Sequence, residues 1–112
     1  MYIVTNIIRV KKGYAGKLVE RFKVRKGIET FPGFVRLDLL ITDKQKDFDE
    51  VRVYTTWENK ESFEGWFHSD IFQNAHKNRK QHEYVIGNTV TFHELAYSYI
   101  KAEADQKTLE NV

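Results

Sequence analysis

Three side chains of this chain have the types and surroundings expected of a ligand pocket: Asn6, Trp66 and His76. Asn6 interrupts the apolar face of the first predicted strand, where its neighbours are Val4 and Ile8. Trp66 combines a large flat ring with one hydrogen-bond donor, and the imidazole of His76 can ligate iron through one nitrogen. An amide, an indole and an imidazole that meet in an apolar pocket would suit a large flat cofactor.

Each of the three residues also has a plainer interpretation. A buried amide without partners costs roughly 1–3 kcal/mol, so Asn6 either bonds a neighbouring backbone group or faces a bound polar ligand. Taken alone, Trp66 is more typical of a core aromatic, and His76 of a half-buried imidazole that bonds a backbone carbonyl. No two of the four histidines have the H-E-x-x-H spacing of a zinc helix, and cysteine is absent, so a metal site built by protein alone is not predicted.

Composition limits the function classes further. The 112 residues predict one domain, and hydrophobic and aromatic shares of 41% and 14% exclude a disordered chain. The net charge of +2, from 18 basic and 16 acidic residues, is too balanced to indicate nucleic-acid binding. The absence of cysteine excludes disulfides and is compatible with a reducing cytoplasm. Neither a signal peptide nor an apolar run long enough to span a membrane is recognisable.

The hydrophobic period alternates between two and 3.6 along the chain, which predicts the elements that must position the three residues. Strands are predicted over residues 2–10, 35–41, 51–57 and 85–95. A first helix runs from Ala15 to a stop at Gly27, and a second, broken in two, has caps at Asn59 and Ser69. Gly87 marks a possible bulge in the last strand. The order β-α-β-β-α-β predicts an α+β, ferredoxin-like domain with an antiparallel sheet over residues 1–101, followed by a polar tail over residues 102–112.

Helices cover one face of such a sheet, and the other face needs a different cover. That second face carries Ile3, Ile7 and Leu40. Because large exposed apolar patches mark interfaces, we expect a second copy of the sheet to cover it, which gives a two-fold homodimer. The alternative is a monomer with a few exposed apolar side chains.

Several segments resemble one bacterial family over nearly the whole chain. They are E-R-F at residues 20–22, G-I-E-T at 27–30, D-F-D-E-V at 47–51, W-F-H-S-D-I-F-Q-N-A-H-K at 66–77 and A-Y-S-Y-I-K at 96–101. Together with Asn6, Trp66 and His76, they make the chain resemble the IsdG-type heme-degrading monooxygenases, within the antibiotic-biosynthesis-monooxygenase-like group of dimeric α+β barrels.

The resemblance implies a role for each of the three residues. His76 would be the axial ligand of heme iron. Asn6 would stand on the opposite, distal side and hydrogen-bond an iron-bound oxygen species. Trp66 would press on the porphyrin and ruffle it. Heme would be both cofactor and substrate, and dioxygen with external electrons would open its ring, releasing iron and a bilin-type product.

The resemblance also implies binding residues and partners. Phe22 would line the pocket, and Arg21 or Arg25 would meet the heme propionates. Because the chain has no recognisable flavin motif, electrons would come from a separate reductase. Two other functions remain open from the sequence: a heme-binding carrier that does not cleave heme, and a cofactor-free monooxygenase of the same barrel group.

Overall fold

The computed structural model describes residues 1–24, 27–77 and 82–102, and of residues 75–77 the backbone alone. Four strands and three α-helices follow one another in the predicted order β-α-β-β-α-β, with the second helix in two pieces. They are β1 (Tyr2–Lys11), α1 (Ala15–Lys23), β2 (Phe34–Ile41), β3 (Phe48–Trp57), α2 (Lys60–Phe67), α3 (Asp70–Lys77) and β4 (Val85–Glu94). A short 3₁₀ helix, Ile28–Thr30, which the sequence did not predict, precedes β2.

The four strands form one antiparallel sheet in the order β2-β3-β1-β4. This order and the element sequence confirm the ferredoxin-like α+β fold. Asn6, in the middle of central strand β1, lies opposite Val53 of β3 and Val90 of β4. The register of β1 and β4 shifts next to Gly87, as expected for a bulge there.

The core on the helix side of the sheet is divided into two clusters. Cluster 1 lies under α1, whose Ala15 and Leu18 pack on strand residues, and its members are Ile8, Val10, Ala15, Leu18, Val51 and Val53. Cluster 2 lies under α2, and its members are Val4, Trp57 and Trp66. On β1, Asn6 therefore falls between Val4 of one cluster and Ile8 of the other. The sheet surface between the two helical covers is the place where a cavity can form.

Side-chain caps begin α2 and α3 as the sequence predicted. Asn59 Oδ1 accepts a hydrogen bond from the backbone N–H of Ser62 at 2.8 Å, and Ser69 Oγ accepts one from that of Phe72 at 3.2 Å. Because helix N-termini leave backbone donors without partners, these bonds fix where both helices start. The start of α2 in turn fixes the position of Trp66 on its last turn.

The predicted end of α1 at Gly27 is wrong. The helix ends at Lys23, because the backbone of Val24 is extended, with φ −74° and ψ 115°. Gly27 has φ 99° and instead begins the 3₁₀ helix, whose Ile28 packs against cluster 2. The early end of α1 lets this segment return to the core, a long-range packing effect that local sequence does not reveal.

The second face of the sheet has no helix over it among the described residues. Ile3 and Ile7 are half-buried there, and Leu40 is 41% exposed. The segment after β4 does not cover this face either, since Tyr97 and Tyr99 are 71% and 77% exposed. The dimer, the domain limit at residue 101 and the polar tail stay predictions, and the tail after residue 102 lies outside the described residues. No helix in the described ranges is long and apolar enough to cross a membrane.

Candidate active site

A cavity of about 940 Å³ lies over the helix side of the sheet, between the two core clusters. Its size falls in the range of about 300–1,000 Å³ that is usual for small-molecule sites. Apolar side chains form most of its wall, and a few polar groups interrupt them. Wall residues from the central strands and from all three helices include Asn6, Arg21, Phe22, Val53, Trp66 and Phe72.

Asn6 is half-buried on the floor of this cavity. Its Oδ1 accepts a hydrogen bond from Nδ2 of Asn88, on the neighbouring strand β4, at 3.0 Å. The partner is a side chain and not the backbone group considered from the sequence. The Nδ2 of Asn6 has no acceptor among the residues that the structure describes. The amide oxygen therefore has one partner, and the amide donor is available to a ligand.

Trp66 belongs to the core and to the cavity wall at the same time. It is only 6% exposed. Its indole stacks on Trp57, with centroids 6.5 Å apart, and meets the ring edges of Phe31 and Phe72 at 5.6 Å each. Aromatic neighbours on several sides fix the ring, so Trp66 forms a rigid part of the wall.

Arg21 and Phe22, adjacent on α1, reach the cavity from the opposite side to Trp66. The Arg21 guanidinium donates a hydrogen bond from Nη1 to the hydroxyl of Tyr84 at 3.3 Å. The Tyr84 ring stacks on that of Tyr14, with centroids 5.2 Å apart. Neither tyrosine was singled out from the sequence, because Tyr84 lies 63 residues from Arg21 and no local pattern indicates the contact.

His76 and Arg25 are the two predicted site residues that the structure does not test. The backbone of His76 lies in α3, four residues after Phe72, whose side chain lines the cavity. The His76 side chain and the whole of Arg25 lie outside the described residues. The predicted residues that do meet at the cavity are Asn6, Arg21, Phe22 and Trp66.

The charged groups of the described part of the chain do not form a metal site by themselves. No cluster of three or more His, Cys, Asp or Glu side chains occurs in that part of the molecule. A bound porphyrin needs much less from the protein, since its macrocycle supplies four nitrogens and one axial side chain completes the attachment. Of the cations at the cavity wall, Lys23 is engaged with Glu20 at 2.9 Å. Arg21 donates to the hydroxyl of Tyr84 and forms no ion pair within the described residues, so its charge can meet a ligand.

Comparison with known proteins relates both the sequence and the fold to one family. Residues 1–78 match the antibiotic biosynthesis monooxygenase family. A heme-degrading monooxygenase from Halalkalibacterium halodurans is 42% identical over 95 residues, which cover 85% of this chain and 82% of that protein. A staphylobilin-producing heme oxygenase from Staphylococcus aureus is 38% identical over 105 residues, which cover 89% and 98%.

Two solved structures agree with these relatives. A Bacillus cereus protein assigned to the antibiotic biosynthesis monooxygenases superposes with a TM-score of 0.79 at 27% identity, covering 89% of this chain and 97% of that one. The heme-degrader MhuD from Mycobacterium tuberculosis, solved with two hemes bound in its active site, superposes with a TM-score of 0.70 at 26% identity, covering 88% and 99%.

Proposed function

The chain belongs to the antibiotic biosynthesis monooxygenase family and to its IsdG-type heme-degrading members, and we propose that it degrades heme in the cavity between its two core clusters. The protein is a heme-degrading monooxygenase, for which heme is both substrate and cofactor. The assignment to this cavity rests on one observation. The cavity is lined by Asn6, Trp66, Phe22 and Arg21 together.

The cavity suits heme in shape and in chemistry. Heme is flat and mostly apolar, with two carboxylates at one edge, and it therefore needs an apolar slot with few, well-placed polar groups. The volume of about 940 Å³, the rings of Phe22 and Trp66 and the single amide of Asn6 meet this need. The guanidinium of Arg21 is suited to a carboxylate, because its planar donors match carboxylate oxygens.

His76 is proposed as the side chain that holds the heme iron. The backbone of His76 lies in α3 four residues after Phe72, which lines the cavity, and residues four apart on a helix share a face. The His76 side chain is therefore proposed to extend towards the cavity. Bound heme supplies an iron that activates dioxygen. Asn6 lies on a different element, and its Nδ2 would donate a hydrogen bond to negative charge that develops during the reaction.

Trp66 is proposed to shape the macrocycle by contact. Because its ring packs against Trp57, Phe31 and Phe72, moving it aside would cost those contacts. Contact with this wall would constrain the shape of bound heme and so favour oxidation at one part of its edge. Arg21, with Arg25 as the second candidate, is proposed to anchor the propionates.

A homodimer is proposed to cover the second face of the sheet. The support is the exposed Leu40 beside the half-buried Ile3 and Ile7, together with the apolar segment after β4, in which Tyr99 and Ile100 are 77% and 85% exposed. Pairing two such faces would form the α+β barrel and remove this apolar surface from water. The exposed segment would then pack against the partner.

Dioxygen and a separate electron donor complete the proposed reaction. The chain has no recognisable nucleotide-binding motif, so a reductase partner is proposed as the source of electrons. A cytoplasmic location is proposed because a cysteine-free chain suits a reducing compartment, and release of iron from heme suits a role in iron acquisition.

Incubation of the purified protein with hemin and ascorbate in air tests the function. The Soret band should decay, with the loss following enzyme concentration. A heme carrier would bind hemin and keep a stable Soret band under every electron donor tried. A cofactor-free monooxygenase would leave the spectrum of hemin unchanged on titration.

A further inference from the structure

The side chain of Asn88 is in a position to decide which end of the Asn6 amide faces the cavity. In the β1–β4 register, Asn6 is opposite Val90 and Ile8 is opposite Asn88, so the two asparagines are diagonal neighbours on the helix side of the sheet. Diagonal neighbours are close enough for long side chains to touch. Asn88 Nδ2 donates to Asn6 Oδ1 at 3.0 Å.

The two ends of an amide have nearly the same size, so packing distinguishes them poorly and hydrogen bonds determine the orientation. The residues directly opposite Asn6 are Val53 and Val90, and neither offers a polar side chain. Within the described residues, Asn88 is the only hydrogen-bond partner of the Asn6 side chain. Its donation occupies Oδ1 and leaves both hydrogens of Nδ2 for a ligand.

Asn88 is also an unusual residue for its place. Asparagine is depleted in strands, and here it stands exposed on edge strand β4, directly after Gly87. The register shift next to Gly87 lies between the pairs Arg9–Gly87 and Val10–Val85. Bulges of this kind redirect nearby side chains, which gives a structural reason for the reach of Asn88 towards Asn6.

We propose that Asn88 is a positioning residue that holds the Asn6 amide with its donor towards the cavity. This inference rests on the proposed function, in which the Asn6 donor acts on heme bound in the cavity. A donor that is oriented before the reaction begins needs no reorganisation when charge develops, which is the source of its catalytic effect. Asn88 itself would not touch heme.

Two substitutions of Asn88 separate this role from a merely structural one. Asn88→Leu removes the donor and leaves the Asn6 amide free to rotate, so turnover should fall by roughly two- to tenfold, the worth of one neutral hydrogen bond. Asn88→Asp reverses the bond, because a carboxylate accepts from Asn6 Nδ2 and turns Oδ1 towards the cavity. Turnover should then fall by about 10²–10³, the loss expected when the donor itself is removed. Hemin affinity should change less than turnover in both variants.

A double-mutant cycle and a heme-free measurement complete the test. In an Asn6→Ala background, Asn88→Asp should cause little further loss, because its effect passes through Asn6. In the heme-free Asn88→Asp protein, the side-chain NH₂ signals of Asn6 in ¹⁵N–¹H spectra should shift downfield and titrate with the new carboxyl group. Unchanged Asn6 signals, or an equal loss in both backgrounds, would overturn the proposal. Failure of the wild type to degrade hemin would refute the proposed function instead, and the heme-free spectra would still decide on the orientation of Asn6.

Discussion

Asn6 is the residue at which binding and turnover should separate most clearly. Asn6→Ala removes the amide that faces the cavity, but β1 keeps its pairing to β3 and β4. Because the donor acts on charge that develops only during the reaction, degradation should fall by about 10²–10³ while hemin affinity stays near the wild-type value. Hemin titration, single-turnover absorbance and the melting temperature check this. Joint loss of affinity, activity and melting temperature would mean that Asn6 is structural.

His76 is the residue whose loss should abolish iron attachment and leave the fold intact. His76→Ala places a good helix former in α3, so the helix should persist. The electron paramagnetic resonance spectrum of the hemin complex should lose its histidine signature. His68→Ala, at an exposed histidine just after α2, is the matched control and should keep the signature. If the spectrum survives His76→Ala unchanged, another residue is the ligand.

Among single residues, the sequence revealed those whose type is unusual for their position. It did not reveal those whose role depends on contacts with distant parts of the chain. Asn6 was identifiable because an amide between Val4 and Ile8 breaks a period-two apolar pattern. Asn88 was not, because its importance arises from a register that joins residues 82 positions apart. The hydrogen bond from Arg21 to Tyr84 was invisible for the same reason.

The turn before β2 has a strict residue requirement at one position. Gly33 has φ 84°, and a Cβ added to it would lie 2.0 Å from Ser62 Oγ on α2. Gly33→Ala should lower the free energy of unfolding by about 1–3 kcal/mol or more, because strain and a clash add. Gly16→Ala is the matched control: Gly16 lies in α1 with no atom within 4 Å of an added Cβ. It should stabilise by about 0.4–1 kcal/mol. Denaturant unfolding of both variants checks the contrast, which equal effects would contradict.

The carboxylate of Asp49 ties β3 to the start of α1 and makes this junction sensitive to acid. Partial burial acts to raise the pKa of Asp49, but N–H donors of Gly13 and Ala15 at 2.8 and 3.3 Å, with the Lys12 ammonium, lower it below its usual value. A carboxyl group whose pKa is lower in the folded than in the unfolded chain stabilises the fold at pH values above its unfolded pKa of about 3.9. This stabilisation is lost as the pH falls through the folded pKa.

Asp49→Asn should therefore be less stable than the wild type at neutral pH, and the difference should disappear in strong acid. Thermal unfolding of both proteins, from neutral to acidic pH, measures this difference in stability. Asp47→Asn is the control, since Asp47 is exposed and makes no hydrogen bond or ion pair within the described part of the chain. A stability difference for Asp49→Asn that does not depend on pH would contradict the charge argument.

Element order and the limits of β1, β2 and β4 followed from the sequence to within about one residue because they depend on local periodicity, whereas the end of α1 and the start of β3 did not. The pattern suggested Gly27 as the stop, but Val24 leaves the helix so that Ile28 can pack beside Trp66. Likewise, β3 begins at Phe48 and not at Val51, because Phe48 pairs with Lys11 across the sheet. Tertiary packing overrides local propensity at both places.

At the scale of the whole molecule, the sheet face without helices predicts a dimer. Light scattering should report about twice the chain mass of 13.3 kDa. Leu40→Glu should shift the protein towards the monomer, because Leu40 lies on the uncovered face. Ile41→Glu is the matched control, since Ile41 is 57% exposed on the helix side of the same strand. A wild-type monomer at micromolar concentration, or equal effects of both variants, would contradict the predicted interface.

The proposed reaction opens the heme ring and frees the iron, so the iron balance of the reaction is its sharpest test. Hemin-loaded protein should be supplied with electrons in air, with catalase present so that free peroxide cannot bleach the heme. Chelated iron is then compared with the heme lost. We expect one iron released for each heme lost, no release without dioxygen, and a large reduction in Asn6→Ala. A stable Soret band with no chelatable iron, under several electron donors, would contradict it.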